Sequence, residues 1–290
     1  MIFALLALFY IRAGSQPALV SPYTIVLGIA QDGGYPQAGC ERPDCVAAWN
    51  DPTLRRHVVS LGIVDPATHE RWMIDATPDF PEQLHALGGL PLAGILLSHA
   101  HIGHYLGLAQ LGREVIGAHD LPVYAMPRMR AFLEHNGPWD QLVRLHNIDL
   151  RPMEDGVPIR LNANITVTPV AVPHRGEYSE TVGFIVKGPK RSVLWIPDAD
   201  RWENVEELIA RVDVAYLDGT FFDAKELPGR NLAEIPHPMI YDSMQRFEKL
   251  PASERAKIRF IHLNQSNPAL RNPKRVRPFT IAREGERESL

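Results

Sequence analysis

The sequence predicts an α/β protein in which two mixed β-sheets face each other with helices outside. Three observations lead there. Apolar runs of strand length alternate with helical segments from Tyr23 onward, closely spaced strands interrupt that order in the middle of the chain, and the alternation then resumes. The 290 residues, 45% hydrophobic and 22% charged, can bury a large core and sit at the upper edge of one domain, placed at residues 21–270. No internal repeat with a period of about 20 to 50 residues is present.

Residues 1–20 contain the apolar run Met1–Ile11, followed by small residues from Arg12 to Ala18. That run is too short to span a bilayer and resembles a signal-peptide core lacking its positive leader. A periplasmic or secreted protein is the expectation, with a buried or partner-covered N-terminal helix in a cytoplasmic protein as the alternative. Strands follow at Thr24–Ala30, His57–Val64, Arg71–Ala76 and Gly94–His99, with Gln31–Pro36 as a glycine-rich break that serves either a tight turn or close approach to a ligand. Helices are expected at Pro78–Leu87 and Gly103–Val115, the latter burying Leu106, Leu108, Leu111 and Val115.

A strand at Val123–Met126 leads into a helix from Pro127 to His135, where proline suits the first helical position, and then into a looser segment near Gly137–Trp139. Ile148–Met153, Val157–Leu161, Ile165–Val172, Thr181–Lys187 and Ser192–Pro197 are spaced like antiparallel neighbours. Glu203–Val212 and Pro238–Leu250 read as helices, Val214–Gly219 and Ile258–Asn264 as strands. Residues 271–290, with the basic run Arg271–Arg277, read as a polar, solvated tail. Cys40 and Cys45 are the only cysteines; two thiolates cannot close a four-ligand zinc site, so they form a small-loop disulfide or stay reduced, the disulfide being favoured.

A net charge of -4 argues against a nucleic-acid partner, because no basic excess supplies counterion release. The partner expected is a small-molecule substrate. The chemistry concentrates at His99-Ala-His101-Ile-Gly-His104, where an apolar strand turns into a helix. With 12 histidines in the chain, this spacing has about one chance in fifty of arising by composition. Neutral imidazoles gathered at such a turn suit a metal ion, although they would also serve to cap a helix. His174, Asp198 and His262 each fall at the end of an apolar run, where one sheet edge would collect them. The other histidines at 57, 69, 85, 119, 135 and 146 fall in turns or on helix faces, and Tyr105, Trp139 and Phe221 are core residues by default.

Taken in this order, His99, His101, His104, His174, Asp198 and His262 resemble the ligand series of the metallo-β-lactamase superfamily. The segments Leu27–Gln37, Asp218–Phe221 and Ile261–Pro268 are similar to its branch containing the pyrroloquinoline-quinone biosynthesis protein B, related to tRNA 3′-end endonucleases. The resemblance implies a four-layer αββα sandwich. It also implies a dinuclear centre: His99, His101 and His174 on one metal, His104 and His262 on the second, Asp198 bridging. The superfamily motif has an aspartate before its third histidine, where this chain has Gly103, which puts occupancy of the second position in doubt. Asp32 and Asp200 are the candidates to replace that carboxylate. His237 falls where the endonuclease relatives carry a further histidine, as a proton donor or a helix-entry residue.

The expected function is a hydrolase using one or two Zn2+ ions, in which a metal-bound hydroxide attacks an ester, lactone, amide or phosphodiester, with Asp198 orienting it and His237 protonating the leaving group. An iron-dependent oxygenase on the same ligands is the alternative, since imidazole and carboxylate also suit Fe. A non-catalytic relative with a degenerate second position is a third reading.

Overall fold

The computed structural model describes residues 21–88 and 91–290; the signal-like run at 1–20 lies outside them. The strands in chain order are β1 (Tyr23–Gly28), β2 (Ser60–Asp65), β3 (Glu70–Ile74), β4 (Leu92–Leu96), β5 (Leu121–Ala125), β6 (Ile148–Pro152), β7 (Ile159–Arg160), β8 (Thr166–Ala171), β9 (Val182–Lys187), β10 (Ser192–Ile196), β11 (Val214–Asp218), β12 (Ile258–Ile261), β13 (Thr280–Ile281) and β14 (Arg287–Ser289). They form two seven-stranded sheets, ordered β14-β1-β2-β3-β4-β5-β6 and β13-β12-β11-β10-β9-β8-β7. Each is mixed. In the first, β3 to β6 pair in parallel and the rest antiparallel; in the second, β10 to β13 are parallel and β7 to β10 antiparallel.

Period-two alternation builds the layers. From the first sheet, Val26, Ile63, Trp72 and Leu96 join one core with Phe184, Val193, Trp195 and other residues of the second sheet. Their neighbours Ile25, Met73, Ile95 and Val123 turn the other way and pack with Phe80, Leu108, Met129, Leu133 and Trp139 from the helical layer. Val205, Ile209, Ile240 and Phe247 supply the helices on the outer face of the second sheet. The arrangement is the expected αββα sandwich. Among the described residues no helix is long and apolar enough to cross a membrane.

Two expectations fail, and two helices carry no mark in the sequence. The helix expected at Gly103–Val115 is a short α-turn, Ile102–Tyr105, running into a 3-10 segment, Leu106–Leu111; Leu108 and Leu111 are buried, but Leu106 and Val115 are exposed. Pro43–Asn50 and Trp139–Arg144 are helices that the pattern did not reveal, the first tethered by a Cys40–Cys45 disulfide. Residues 271–290 are not a solvated tail: β13 adds to β12 and β14 adds to β1, so this segment supplies an edge strand to each sheet. Its acidic side chains Glu284, Glu286 and Glu288 are paired. Arg259 in β12 lies 2.8 Å from Glu286 and 2.8 Å from Glu288.

Phe279 is buried with ring centroids 6.4 Å from Phe247 and 5.9 Å from Phe260. Phe279→Ala is expected to cost about 3 kcal/mol or more in urea unfolding, whereas a solvated tail would show no change. Glu284 accepts the His57 backbone N–H at 2.6 Å and lies 3.4 Å from its Nδ1. The hydrogen bond to that carboxylate raises the imidazole pKa against burial. The resulting stability is full below the unfolded imidazole's pKa of about 6.5 and is lost as pH rises through the folded value. Glu284→Gln is therefore expected to lower Tm more at about pH 6 than at about pH 9, and an equal loss at both would show that the imidazole's charge plays no part.

Candidate metal centre

The sheet edge at which the parallel strands end is where ligands gather in open α/β sheets. His99 lies just past β4, Asp75 just past β3, His174 past β8, Asp198 past β10, and His262 directly after β12, while Asp218 closes β11. Asp75 and His262 take left-handed φ values of 66° and 64°, a conformation costing about 1–2 kcal/mol for a residue with a Cβ. The surrounding sheets hold that strain in place.

The six residues expected from sequence come together. His101 Nδ1 is 2.8 Å from His99 Nε2 and 3.2 Å from His174 Nε2. Asp198 Oδ2 is 3.3 Å from His99 Nε2, and its Oδ1 is 3.2 Å from His174 Nε2. The Nε2 atoms of His104 and His262 each lie 3.8 Å from that same Oδ2. His99, His101, His174 and Asp198 make one group with ligand atoms within 4.8 Å of one another, and Asp32, His104 and His262 make another.

The outer hydrogen bonds set where the ring protons sit. His104 Nδ1 is 2.8 Å from Asp75 Oδ2, and His174 Nδ1 is 2.8 Å from Asp200 Oδ1, so each donates outward to a carboxylate. Ser98 Oγ gives its proton to Asp75 and accepts from His99 Nδ1 at 2.9 Å; Thr220 Oγ1 gives its proton to Asp218 and accepts from His262 Nδ1 at 2.8 Å. His101 is the mirror case, with Nε2 donating to Glu177 at 3.3 Å. In their neutral form these five rings therefore present lone pairs inward, toward two carboxylates that are also acceptors. His104 Nε2, His262 Nε2, Asp32 Oδ1 and Asp198 Oδ1 are buried without a hydrogen-bond partner among the described residues. Acceptors facing acceptors at these distances fit a cation, and the nitrogen and oxygen donors suit zinc or iron.

Burial opposes charge throughout. It prevails at His99 and His101, whose pKa values fall below the ordinary range. At His104 burial is outweighed by Asp75 and Asp32, and at His174 by Asp198, so both are raised. Asp198 and Asp32 stay well below the carboxylate range despite burial, Asp198 held by His262, His237 and other imidazoles, Asp32 by His104 and His262.

His237 is buried beside the centre, with Nδ1 2.9 Å from Asp218 Oδ2 and 3.3 Å from Asp198 Oδ1. Burial would lower its pKa, but those two carboxylates raise it to about 9. A cavity of about 590 Å³ adjoins it, lined by Asp200, Trp202, Pro238, Met239 and Tyr241. Of the two candidate replacement carboxylates, Asp200 is engaged outside His174, while Asp32 Oδ1 lies 3.2 Å from His104 Nε2. Asp75, Ser98, Asp218, Thr220 and Glu177 were not singled out from sequence as partners of the ring nitrogens. A carboxylate directly after an apolar run, as in Met73-Ile-Asp75 and Tyr216-Leu-Asp218, is the signal that could have found two of them. Tyr105 and Trp139 pack edge to face at 5.1 Å in the core, and His119, His135 and His146 lie away from the centre on exposed positions.

Sandwich and ligand edge together place the molecule among known proteins. The chain belongs to the beta-lactamase superfamily, whose domain matches residues 70–262. Coenzyme PQQ synthesis protein B of Xanthomonas axonopodis pv. citri (strain 306) is 27% identical over 281 residues, covering 85% of this chain and 90% of that protein. The crystal structure of Zn2+-bound PqqB from Methylobacterium extorquens has a TM-score of 0.78 at 22% identity, covering 92% of this chain and 100% of that one. A diphosphatase of the PhnP family has a TM-score of 0.70 at 22% identity, with 93% and 97% covered. The family read from the histidine order is thereby upheld.

Asp75→Asn keeps the size of the partner to His104 but removes its charge, and is expected to weaken metal binding about 10- to 100-fold in chelator competition. Unchanged affinity would reduce Asp75 to a packing residue.

Proposed function

We propose that this chain is a zinc-dependent hydrolase acting on an ester, lactone, amide or phosphodiester bond of a small molecule. The observation that carries the reading is the inward convergence of five imidazole lone pairs on Asp198, with unpartnered buried acceptors on both sides of it. His99, His101, His174 and Asp198 would hold one ion, and His104, His262 and Asp198 a second. The Zn2+-bound relative supports zinc as the ion, and the diphosphatase relative supports hydrolysis. Bound zinc would lower the pKa of a coordinated water to about 7 and polarise the scissile bond.

The chain's own residues supply the rest. Asp198 faces both groups through Oδ2, 3.3 Å from His99 Nε2 and 3.8 Å from the Nε2 atoms of His104 and His262, and as an acceptor it would orient a water held between them. His237 borders the cavity while Asp218 holds its Nδ1, so a ring kept protonated at neutral pH stands ready to protonate a leaving group. The cavity walls of Trp202, Pro238 and Met239 would meet the apolar part of a substrate.

The test is elemental analysis of protein purified without added metal, followed by chromogenic esters, lactones and bis(p-nitrophenyl) phosphate. Stoichiometric zinc is expected, with turnover abolished by chelation and restored by zinc. His237→Gln is expected to lower kcat about 100-fold or more with metal content unchanged. Full turnover by metal-free protein would overturn the reading, and iron accompanied by oxygen consumption would replace it with oxygenase chemistry.

A further inference from the structure

We propose that Asp32 is the carboxylate ligand of the second metal position, delivered from the turn after β1 into space that Gly103 leaves open. This rests on the two-ion reading above and assigns the ligand that the histidine motif lacks.

Position 103 and Asp32 compete for one volume. A Cβ added to Gly103 would lie 2.6 Å from Asp32 Cα, 2.6 Å from its Oδ1 and 2.7 Å from its Cβ, all closer than real Cβ contacts allow. Glycine here is what lets another part of the chain enter. Asp32 Oδ1 then lies 3.2 Å from His104 Nε2 and 3.7 Å from His262 Nε2. All three atoms are buried and lack hydrogen-bond partners among the described residues.

The other nearby carboxylates are committed elsewhere. Asp75 engages the outer nitrogen of His104, Asp200 the outer nitrogen of His174, and Asp218 engages His237 and Thr220. The turn that carries Asp32 is fastened to the strand end that carries His262. Ala30 bridges Val58, just before β2, and Leu263, just past β12, Gln31 N donates to Leu263 O at 3.0 Å, and Asn264 Nδ2 donates to Gln31 Oε1 at 2.6 Å. Gly34 N closes the turn on Gln31 O at 2.7 Å, with a left-handed φ of 69°. The glycine-rich segment is thus a tight turn whose work is to aim one side chain.

The experiment measures zinc per chain after dialysis against buffered zinc, and the visible spectrum of the cobalt-substituted protein, for wild type, Asp32→Ala, Gly103→Ala and Asp32→Gly/Gly103→Asp. Wild type is expected to hold both ions. Asp32→Ala should bind the second ion more than about 100-fold more weakly, beyond what loss of an outer partner produces, while keeping the first. Gly103→Ala should behave likewise with Asp32 intact, because its Cβ evicts the carboxylate; residue 103 is helical, so alanine suits the backbone. The double exchange removes two of the three clashes, so that only the Cα of residue 32 must shift, and should regain the second ion, which a collapsed turn could not do. Second-ion affinity at the wild-type level in Asp32→Ala or Gly103→Ala would overturn this assignment and leave the hydrolase reading standing. A wild-type chain that binds no ion would overturn both.

Discussion

Mutual repulsion of lone pairs is the constraint on which this molecule turns. Five imidazoles and two carboxylates are aimed at one another, each ring fixed by an outer partner so that it cannot rotate its proton inward. Such an arrangement is unfavourable for a bare polypeptide at low local dielectric, and positive charge inside it reverses the sign of the interaction. The sandwich makes it attainable. Two sheets joined through a continuous apolar core bring the ends of β4, β8, β10 and β12 within a few side-chain lengths, and the outer carboxylates Asp75 and Asp218 are anchored on the neighbouring ends of β3 and β11.

The strands were legible because each is a run of apolar residues buried on one or both faces, and a period of two leaves its mark on sequence. Their ends were also legible as chemistry: His99, His174, Asp198 and His262 are polar residues where apolar runs stop. The parts that escaped have no such mark. Trp139–Arg144 is a six-residue helix held by packing of Trp139 and Leu142, and β13 and β14 contain two and three residues, too few for periodicity. The acidic residues at 284, 286 and 288 read as solvent-facing because their partners, His57, Arg259 and Tyr216, are remote in sequence.

The same limit explains the carboxylate. Gly103 is a visible departure from the superfamily motif, but which residue fills the vacated space depends on a turn more than seventy positions upstream being stapled to the end of β12. A local motif describes what its own turn of chain can place. Compensation from another element becomes visible only as contact in three dimensions.

The pairing of Tyr23 with Ser289 carries a consequence for biosynthesis. β1 gains its outer neighbour only when almost all of the described chain has left the ribosome, so a nascent molecule carries an open strand edge throughout elongation. Such long-range closure slows folding and leaves that edge free to join another chain. Yield from overexpression should therefore respond to translation rate and to holding chaperones.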